Sequence, residues 1–358
     1  MTIQPSVGER IAILRPLLIL GIVYVHTGGV VDDISWQWSN PFEYLQAVFR
    51  NGLFRASVPM LTLISGFLLF RACLDQAPKK LFAKKFRTLV IPFLVFNLLF
   101  IAVMLPLEAF FGFSHYVKLL GSDLSGWLDR LFALRGNPYN FPLYFLRDMI
   151  VLVLLAPLFG LMLRRAPLLG LAAVSVIFFY DFDGSLVLRS TSAILFYIGG
   201  MAAIHRWNLL ALDKYAKPFA VVIVAACLAS IALRSHESFW LALTLPFLMW
   251  PAASLLHGTR IGQFAVRYNK YSFFIFVTHA PVMYFGWQFI LAYARFIPYP
   301  VYYVFAPALT VAFLIVVYRG LMRVAPAAFN FALGNRDKQA PGASEAERPA
   351  AAAYQTAP

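Results

Sequence analysis

The sequence predicts an all-α, polytopic membrane bundle of about ten transmembrane helices, and three observations support this fold class. Hydrophobic residues make up 61% of the chain, charged residues only 13%, and the mean hydropathy is +0.73, values that exclude a soluble globular protein. The apolar runs are continuous and about twenty residues long, which is the length of a helix that crosses a bilayer. Strands of a membrane barrel would instead alternate over about ten residues.

Ten apolar runs divide the chain into candidate spans. In chain order they cover residues 11–31, 50–71, 88–110, 141–163, 167–181, 190–205, 217–234, 239–256, 271–293 and 300–323. The first run has no small-residue cleavage site, so we interpret it as a retained span and not as a signal peptide. We expect residues 1–333 to form one membrane domain. Residues 334–358 are rich in Ala, Pro, Gln and Glu, which predicts a disordered cytoplasmic tail.

The distribution of charge predicts the orientation of the bundle. Loops after even-numbered spans contain most of the basic residues, and loops after odd-numbered spans contain most of the acidic residues. Basic loops stay in the cytoplasm, so both termini are predicted to be cytoplasmic. The net charge of +14 is therefore a consequence of topology, and its dispersal gives no surface for nucleic acid. The long third loop, residues 111–140, is predicted to lie outside as a lid or substrate contact.

Two ionisable residues, Arg15 and His26, lie in the first apolar run. Eleven residues are close to three helical turns, so both side chains are expected on one face, roughly 16 Å apart along the axis. Charged and titratable groups are costly in lipid, which indicates a functional role. The alternative is that Arg15 extends to the headgroups and His26 forms a hydrogen bond within the bundle.

A second basic group, Lys84, Lys85 and Arg87, precedes the third span. It can anchor the span on the cytoplasmic side. It can also bind a phosphorylated cytoplasmic ligand such as coenzyme A, because ammonium and guanidinium groups both bind phosphate.

Polar residues also occur in the fourth and ninth spans. Tyr144, Arg147 and Asp148 begin the fourth span near the outer face, and we predict them as substrate contacts, with a buried charge pair as the alternative. Adjacent residues on a helix do not face each other, so Arg147 and Asp148 are expected to have separate partners. His279 is a second imidazole at membrane depth, either a substrate contact or a packed hydrogen-bonding residue.

The second span contains features of close helix packing. Ser65 and Gly66 are small enough to let another backbone approach in lipid. Pro59 is expected to kink the helix and to leave the carbonyl of Arg55 without its helical donor. The sequence contains no nucleotide-binding, hydride-transfer, zinc-protease or esterase motif, and it predicts no metal site.

Taken in order, these segments resemble the acyltransferase-3 family of membrane O-acyltransferases over about residues 9–324. Arg15–His26 fits the Arg-x10-His motif of that family. Pro59–Phe70 is similar to its Pro-x-Phe-x-x-x-Ser-Gly-Phe segment, and Lys84–Arg87 to its Arg-x-x-Arg element with Lys in the first position. Tyr271–Pro281 is similar, in altered order, to its Ser-Tyr-x-x-Tyr-x-x-His-x-Pro segment.

The resemblance implies transfer of an acetyl or succinyl group from cytoplasmic acyl-CoA to a sugar hydroxyl at a bacterial inner membrane. The acceptor would be a polysaccharide or a lipid-linked oligosaccharide, with acyl-CoA as substrate and no resident cofactor. His26 would act as general base or carry the acyl group transiently. Arg15 would contact the donor or stabilise the oxyanion, and Lys84, Lys85 and Arg87 would hold the donor diphosphate.

Several alternatives stay open from the sequence. Asp32 or Asp33 could orient His26 if the chain folds back after the first span. A succinyl group would need a cation for its carboxylate, and Arg50, Arg55 or Arg147 could supply one. Ten spans with intramembrane Arg and His also fit a proton-coupled transporter. A third possibility is a non-catalytic subunit that works with glycan-assembly proteins.

Overall fold

The computed structural model describes residues 4–27, 41–112, 118–233 and 239–336, and the regular structure in these ranges is entirely helical. The helices are α1 (Pro5–Val25), α2 (Pro41–Arg71), α3 (Pro78–Phe111), α4 (Leu124–Phe132), α5 (Phe141–Arg165), α6 (Pro167–Phe179), α7 (Ser190–Ile204), α8 (Asp213–Ala232), α9 (Phe239–Leu256), α10 (Arg260–Tyr293), α11 (Tyr299–Val324) and α12 (Pro326–Ala332). The predicted all-α class is confirmed.

Seven of these helices, α2, α3, α5 and α8 to α11, are long and apolar enough to cross a membrane. Helices α6 and α7 are apolar but shorter, and α1 is not among the seven because Glu9, Arg10 and Arg15 all lie in its 21 residues. The chain is therefore a multi-pass membrane protein. The count of ten spans and the cytoplasmic location of the termini stay predictions.

Several helix boundaries differ from those predicted by hydropathy; α10, for example, begins at Arg260 and not at residue 271. Helix α1 ends at Val25, so His26 follows the helix as its C-cap (φ −94°, ψ 6°) and is not within it. The predicted residues 28–31 of that span lie outside the described residues. Helices α2 and α3 begin earlier than predicted, at Pro41 and Pro78, because their first turns are helical but contain polar residues that lower the hydropathy.

Both α2 and α3 depart from α-helical geometry near a basic residue. Each contains a π-helical segment, Val48–Gly52 in α2 and Phe86–Val90 in α3. In α2 a 3₁₀ segment, Leu53–Ala56, follows before the helix becomes regular. This change in geometry precedes Pro59, which has no N–H to donate to the preceding turn. Wide π turns are frequently found at functional sites.

The tightest helix contact in the core joins α2 to α7. A Cβ atom at Gly66 would collide with the carbonyl oxygen of Phe196, and one at Gly199 would collide with that of Leu63. The predicted close approach at Gly66 is confirmed. Ser65 instead donates to the carbonyl of Leu61 in its own helix, at 2.7 Å. Close backbone contact is a main source of helix association in lipid, where apolar burial offers little.

Buried ion pairs join segments that are predicted to lie on the cytoplasmic side. Arg10 in α1, only 1% exposed, pairs with Asp213 at 2.6 Å. Arg164 at the end of α5 pairs with Asp75, between α2 and α3, at 2.6 Å. The structure thus brings the start of α1 beside the start of α8, and the end of α5 beside the α2–α3 connection, as a bundle of alternating spans requires.

Replacing Gly66 with Ala should destabilise the protein by about 1–3 kcal/mol, because the added methyl group forces two backbones apart. Thermal unfolding in detergent measures this loss. Gly320→Ala in α11 is the matched control, since a Cβ atom there meets nothing within 4 Å. Equal melting temperatures for the two variants would contradict the close contact.

Candidate active site

Two imidazoles meet inside the bundle. The His26 ring, at the end of α1, lies 5.4 Å from the His279 ring of α10, centroid to centroid. Phe141, the first residue of α5, packs edge-on against His26 at 5.5 Å. The sequence predicted these histidines as separate site residues, one catalytic and one substrate-binding. The structure places them side by side.

The hydrogen bonds of His279 define which of its nitrogens carries the proton. Nδ1 lies 2.7 Å from the carbonyl oxygen of Phe276 and 3.1 Å from that of Ile275. A carbonyl oxygen only accepts, so Nδ1 carries the hydrogen and Nε2 of the neutral ring has a lone pair. His279 is fully buried, and its Nε2 has no hydrogen-bond partner among the described residues. The ring therefore presents an acceptor beside His26.

A proline and two asparagines hold this part of the site. Pro281 has no N–H, so the carbonyl oxygen of Val277 lacks its helical donor. Asn140 Nδ2 donates to that oxygen at 3.2 Å, and Asn140 N donates to Asn97 Oδ1 at 2.8 Å. Asn97 Nδ2 in turn donates to two carbonyls at the end of α4, both at 2.9 Å. The network fixes Phe141 against His26.

These asparagines were not identified from the sequence. Asn97 is fully buried within an otherwise apolar span, and a polar side chain in such a position needs hydrogen-bond partners. That pattern is the signal that could have found Asn97. The predicted outer loop ends at Asn140, so this end of the loop is tied to α3 and α10 and adjoins the site. Its role as a lid or substrate contact stays a prediction.

Three arginines lie near His26, and we call Arg50, Arg55 and Arg189 the arginine cluster. Their charges act on His26 through space. Arg189 Cζ lies 5.1 Å from the ring centroid of Tyr144, which also interacts with Arg55. Tyr144, which the sequence predicted as a substrate contact, therefore lies beside this cluster. Arg50 Nη1 is buried with no hydrogen-bond partner among the described residues.

Access and charge make the arginine cluster a candidate anion site. Arg55 and Arg189 have exposed side chains, so protein packing does not enclose them. Arg50 lies in the π-helical segment Val48–Gly52 of α2. Asp32 and Asp33, which the sequence offered as partners of His26, lie outside the described residues.

Arg147 and Asp148 form a structural pair. The expectation that they would not meet is wrong, because Arg147 Nη1 lies 3.3 Å from Asp148 Oδ1. The long guanidinium also donates to the carbonyls of Ala133, at 2.9 Å, and Leu186. Asp148 accepts from two backbone N–H groups between α6 and α7, at 2.9 and 3.1 Å. Both side chains turn toward this connection, which explains how adjacent residues contact each other. One of the two N–H groups is that of Arg189, so Asp148 fixes the backbone of this one member of the arginine cluster.

A second cationic site lies near Arg15, in the middle of α1. Arg336 Nη2 donates to the carbonyl of Thr88 at 2.6 Å, and its Cζ lies 3.4 Å from the ring centroid of Phe273. Burial, with a smaller effect from the charge of Arg15, lowers the pKa of Arg336 to about 9. Arg336 is thus still protonated near neutral pH. The charges of Arg336 and Arg15 also act on Lys85.

The three predicted donor-binding residues, Lys84, Lys85 and Arg87, differ in how far their side chains are exposed. Lys84 is exposed and its charge acts on Lys85, which is half-buried. The Arg87 side chain is exposed. Arg336 was missed because the sequence prediction placed residues 334–358 in a tail. Residues 334–336 pack on the π-helical segment Phe86–Val90 of α3, and residues 337–358 lie outside the described residues, where the tail stays a prediction.

Comparison with known proteins agrees with this geometry. The model of the acyltransferase-3 domain family matches residues 9–319, from the first turns of α1 into α11. The chain belongs to the acyltransferase-3 family. It is thus a membrane acyltransferase by family, and the matched region contains His26, His279 and the arginine cluster. Arg336 lies beyond the region that defines the family.

One known protein is similar to the chain over almost its whole length. The succinoglycan biosynthesis protein ExoH of Rhizobium meliloti (strain 1021) is 31% identical over 351 residues, which cover 92% of this chain and 93% of that protein. No solved structure is significantly similar to the chain.

The structural role of the Arg147–Asp148 pair predicts a loss of stability on substitution. Asp148→Asn leaves the buried guanidinium without its countercharge and should cost about 3–5 kcal/mol. Thermal unfolding of the purified protein in detergent measures this, with the exposed Asp181→Asn as control. A normal melting temperature with a raised KM for substrate would instead indicate a substrate contact.

Proposed function

We propose that the protein is an inner-membrane O-acyltransferase that moves an acyl group from cytoplasmic acyl-CoA to a sugar hydroxyl of an exopolysaccharide or other cell-surface glycan. Family membership supports acyl transfer, and the similarity to a succinoglycan biosynthesis protein supports a polysaccharide acceptor or its lipid-linked precursor. The observation that carries the proposal is the contact between His26 and His279, with a buried ring acceptor on His279.

The proposed reaction needs a base because a sugar hydroxyl is a poor nucleophile near neutral pH. The hydroxyl oxygen attacks the thioester carbonyl, and its proton passes to the neutral His26 ring. The tetrahedral intermediate then expels the thiolate of coenzyme A, which takes that proton back. General-base help of this kind typically contributes about 10²–10⁴-fold. His279 Nε2 would accept a hydrogen bond from the N–H of His26 and so orient the His26 ring. The carboxylate of a Ser-His-Asp triad orients its histidine in the same way.

The two cationic sites suit the two ends of the donor. Arg15 and Val25 lie ten residues apart in α1, roughly 15 Å along the axis. Coenzyme A has phosphates at one end and a long flexible pantetheine arm that ends in the thioester. We place its phosphates at Arg15 and Lys85, and its thioester at His26. The donor would then lie along α1 from the cytoplasmic side of the bundle.

The arginine cluster favours a dicarboxylic acyl group such as succinyl over acetyl. Acetyl has no charge to recognise, whereas the free carboxylate of succinyl binds guanidinium groups well. Arg147 is already held by Asp148 and by backbone carbonyls, which leaves Arg50 and Arg55 of the arginines predicted for this purpose. Arg189 extends the set. We therefore assign succinyl-CoA as the donor.

Two other functions are less well supported. A transporter would not account for membership of an acyltransferase family. A non-catalytic subunit of a glycan-assembly complex would not need a base with its own buried acceptor.

His26→Ala should reduce acyl transfer by about 10²–10⁴-fold, because the hydroxyl loses its general base. His279→Ala should reduce it less, since His26 remains but is no longer oriented. The measurement is the ester content of surface and periplasmic glycans by mass spectrometry, in strains with the intact gene, a deletion or each variant at matched membrane abundance. The mass of the missing ester also distinguishes succinyl from acetyl.

His257→Ala is the control, since His257 pairs with Glu9 at 3.4 Å, away from His26. If His26→Ala keeps the ester that the deletion loses, the assigned base is wrong. Purified protein incubated with donor alone separates the two mechanisms, because an acyl group on the His26 peptide would indicate a covalent intermediate.

The arginine cluster predicts a change in donor preference. Arg50→Gln and Arg55→Gln should each raise the KM for succinyl-CoA about tenfold and leave the KM for acetyl-CoA nearly unchanged, because only succinyl has a carboxylate. Kinetics with purified protein measure both constants, and the exposed Arg295→Gln is the control. Equal effects on the two donors would remove the carboxylate assignment.

A further inference from the structure

The chain beyond α12 turns back onto α3 at Arg87 and Thr88. Gly334 has φ +79°, a left-handed conformation that favours glycine. A Cβ atom at Gly334 would collide with the carbonyl oxygen of Arg87. This close contact places the next residues against the π-helical segment Phe86–Val90 of α3. The backbone contact at Gly334 and the hydrogen bond from Arg336 to Thr88 together hold Arg336 against α3.

The guanidinium of Arg336 is fixed but only partly satisfied. One nitrogen, Nη2, donates to the carbonyl of Thr88, and the group lies over the face of Phe273. Nε is buried and has no hydrogen-bond partner among the described residues. A guanidinium has five N–H donors arranged as a fork that matches phosphate and carboxylate oxygens. Arg336 therefore retains unused donors in a fixed orientation.

The surroundings of Arg336 are positively charged. Arg15 from α1 and Lys85 from α3 both act on it electrostatically. In the described part of the chain, neither Lys85 nor Arg336 belongs to an ion pair with an acidic residue. Like charges held together in a partly buried site repel one another, and a bound anion with several charges relieves that repulsion. The site suits a phosphate or diphosphate.

We propose that Arg336 binds a phosphate group of the acyl donor together with Arg15 and Lys85, so that the segment after α12 completes the donor site. This inference rests on the proposed function, because it takes coenzyme A thioesters as the donor. It assigns a binding role to a residue outside the region matched by the family model. The first residues after α12 are then part of the site, whatever the rest of the tail does.

The test compares three donors that differ in their phosphate groups: succinyl-CoA, its 3′-dephospho form, and the phosphate-free succinyl pantetheine thioester. Arg336→Gln in the purified full chain should raise the KM for succinyl-CoA about tenfold or more with little change in kcat. The KM for the pantetheine thioester should match that of the unmodified protein. Equilibrium binding of radiolabelled coenzyme A should weaken by a similar factor.

Two further variants control for structure. Arg323→Gln removes an exposed arginine near the end of α11 and should leave all three KM values unchanged. Arg336→Lys keeps the charge but loses the fork, so its KM for succinyl-CoA should lie between the other two values. If Arg336→Gln fails to fold, Arg336→Lys still tests the inference by its selective effect on the phosphorylated donors.

The outcomes separate the inference from the proposed function. If the unmodified protein transfers no acyl group from any donor, the proposed function fails. If it transfers normally and Arg336→Gln has the same KM for succinyl-CoA, the function stands and the role of Arg336 is overturned. A rise in KM for the pantetheine thioester as well would also overturn it, since that donor has no phosphate. An unchanged KM for the 3′-dephospho donor would support contact with the 3′-phosphate, and a raised one contact with the diphosphate.

Discussion

The cost of placing positive charge inside an apolar bundle is the constraint on which the rest of this structure depends. Arg10, Arg147 and Arg164 meet that cost through Asp213, Asp148 and Asp75. The first and third pairs join segments that are distant in the chain, whereas the second pairs neighbouring residues. The arginine cluster and Arg336 have no such acidic partner among the described residues. Their contacts are with aromatic rings, backbone and other cations. This contrast separates the cations that hold the fold from those available to an anionic ligand.

Two groups of cations lie at different levels along α1. Arg15, in the middle of the helix, interacts with the group that includes Lys85 and Arg336, whereas His26, directly after its C-terminal end, interacts with the arginine cluster. One helix thus connects a site suited to phosphates with a site that contains two imidazoles. Charge alone would align a donor that has phosphates at one end and a reactive acyl group at the other. The protein would then need few directional contacts to the middle part of the donor.

The sequence was sufficient for features that depend on local pattern and insufficient for those that depend on packing. Hydropathy predicted the helical class, and the spacing of Arg15 and His26 singled out α1, whose functional role stays a prediction. The close approach at Gly66 also followed from residue size. The contact between His26 and His279 could not be predicted, because it depends on how α1 packs against α10. Arg336 was missed for a related reason. The composition after residue 333 predicts disorder, whereas the turn at Gly334 is fixed by its close contact with the backbone of α3, which composition does not reveal.

The π-helical segments have a geometric consequence for how such a protein can vary. A π turn holds one more residue than an α turn, so it rotates everything beyond it by about 100° relative to a straight helix. In α3 this offset lies between Lys85 and the apolar span that starts at Ile91. The basic residues before this offset therefore point in a different direction, relative to the lipid-facing residues after it, than they would in a continuous α-helix. One extra residue thus lets α3 direct its basic residues and its lipid-facing residues to different sides, at an angle that a continuous α-helix of the same length would not give.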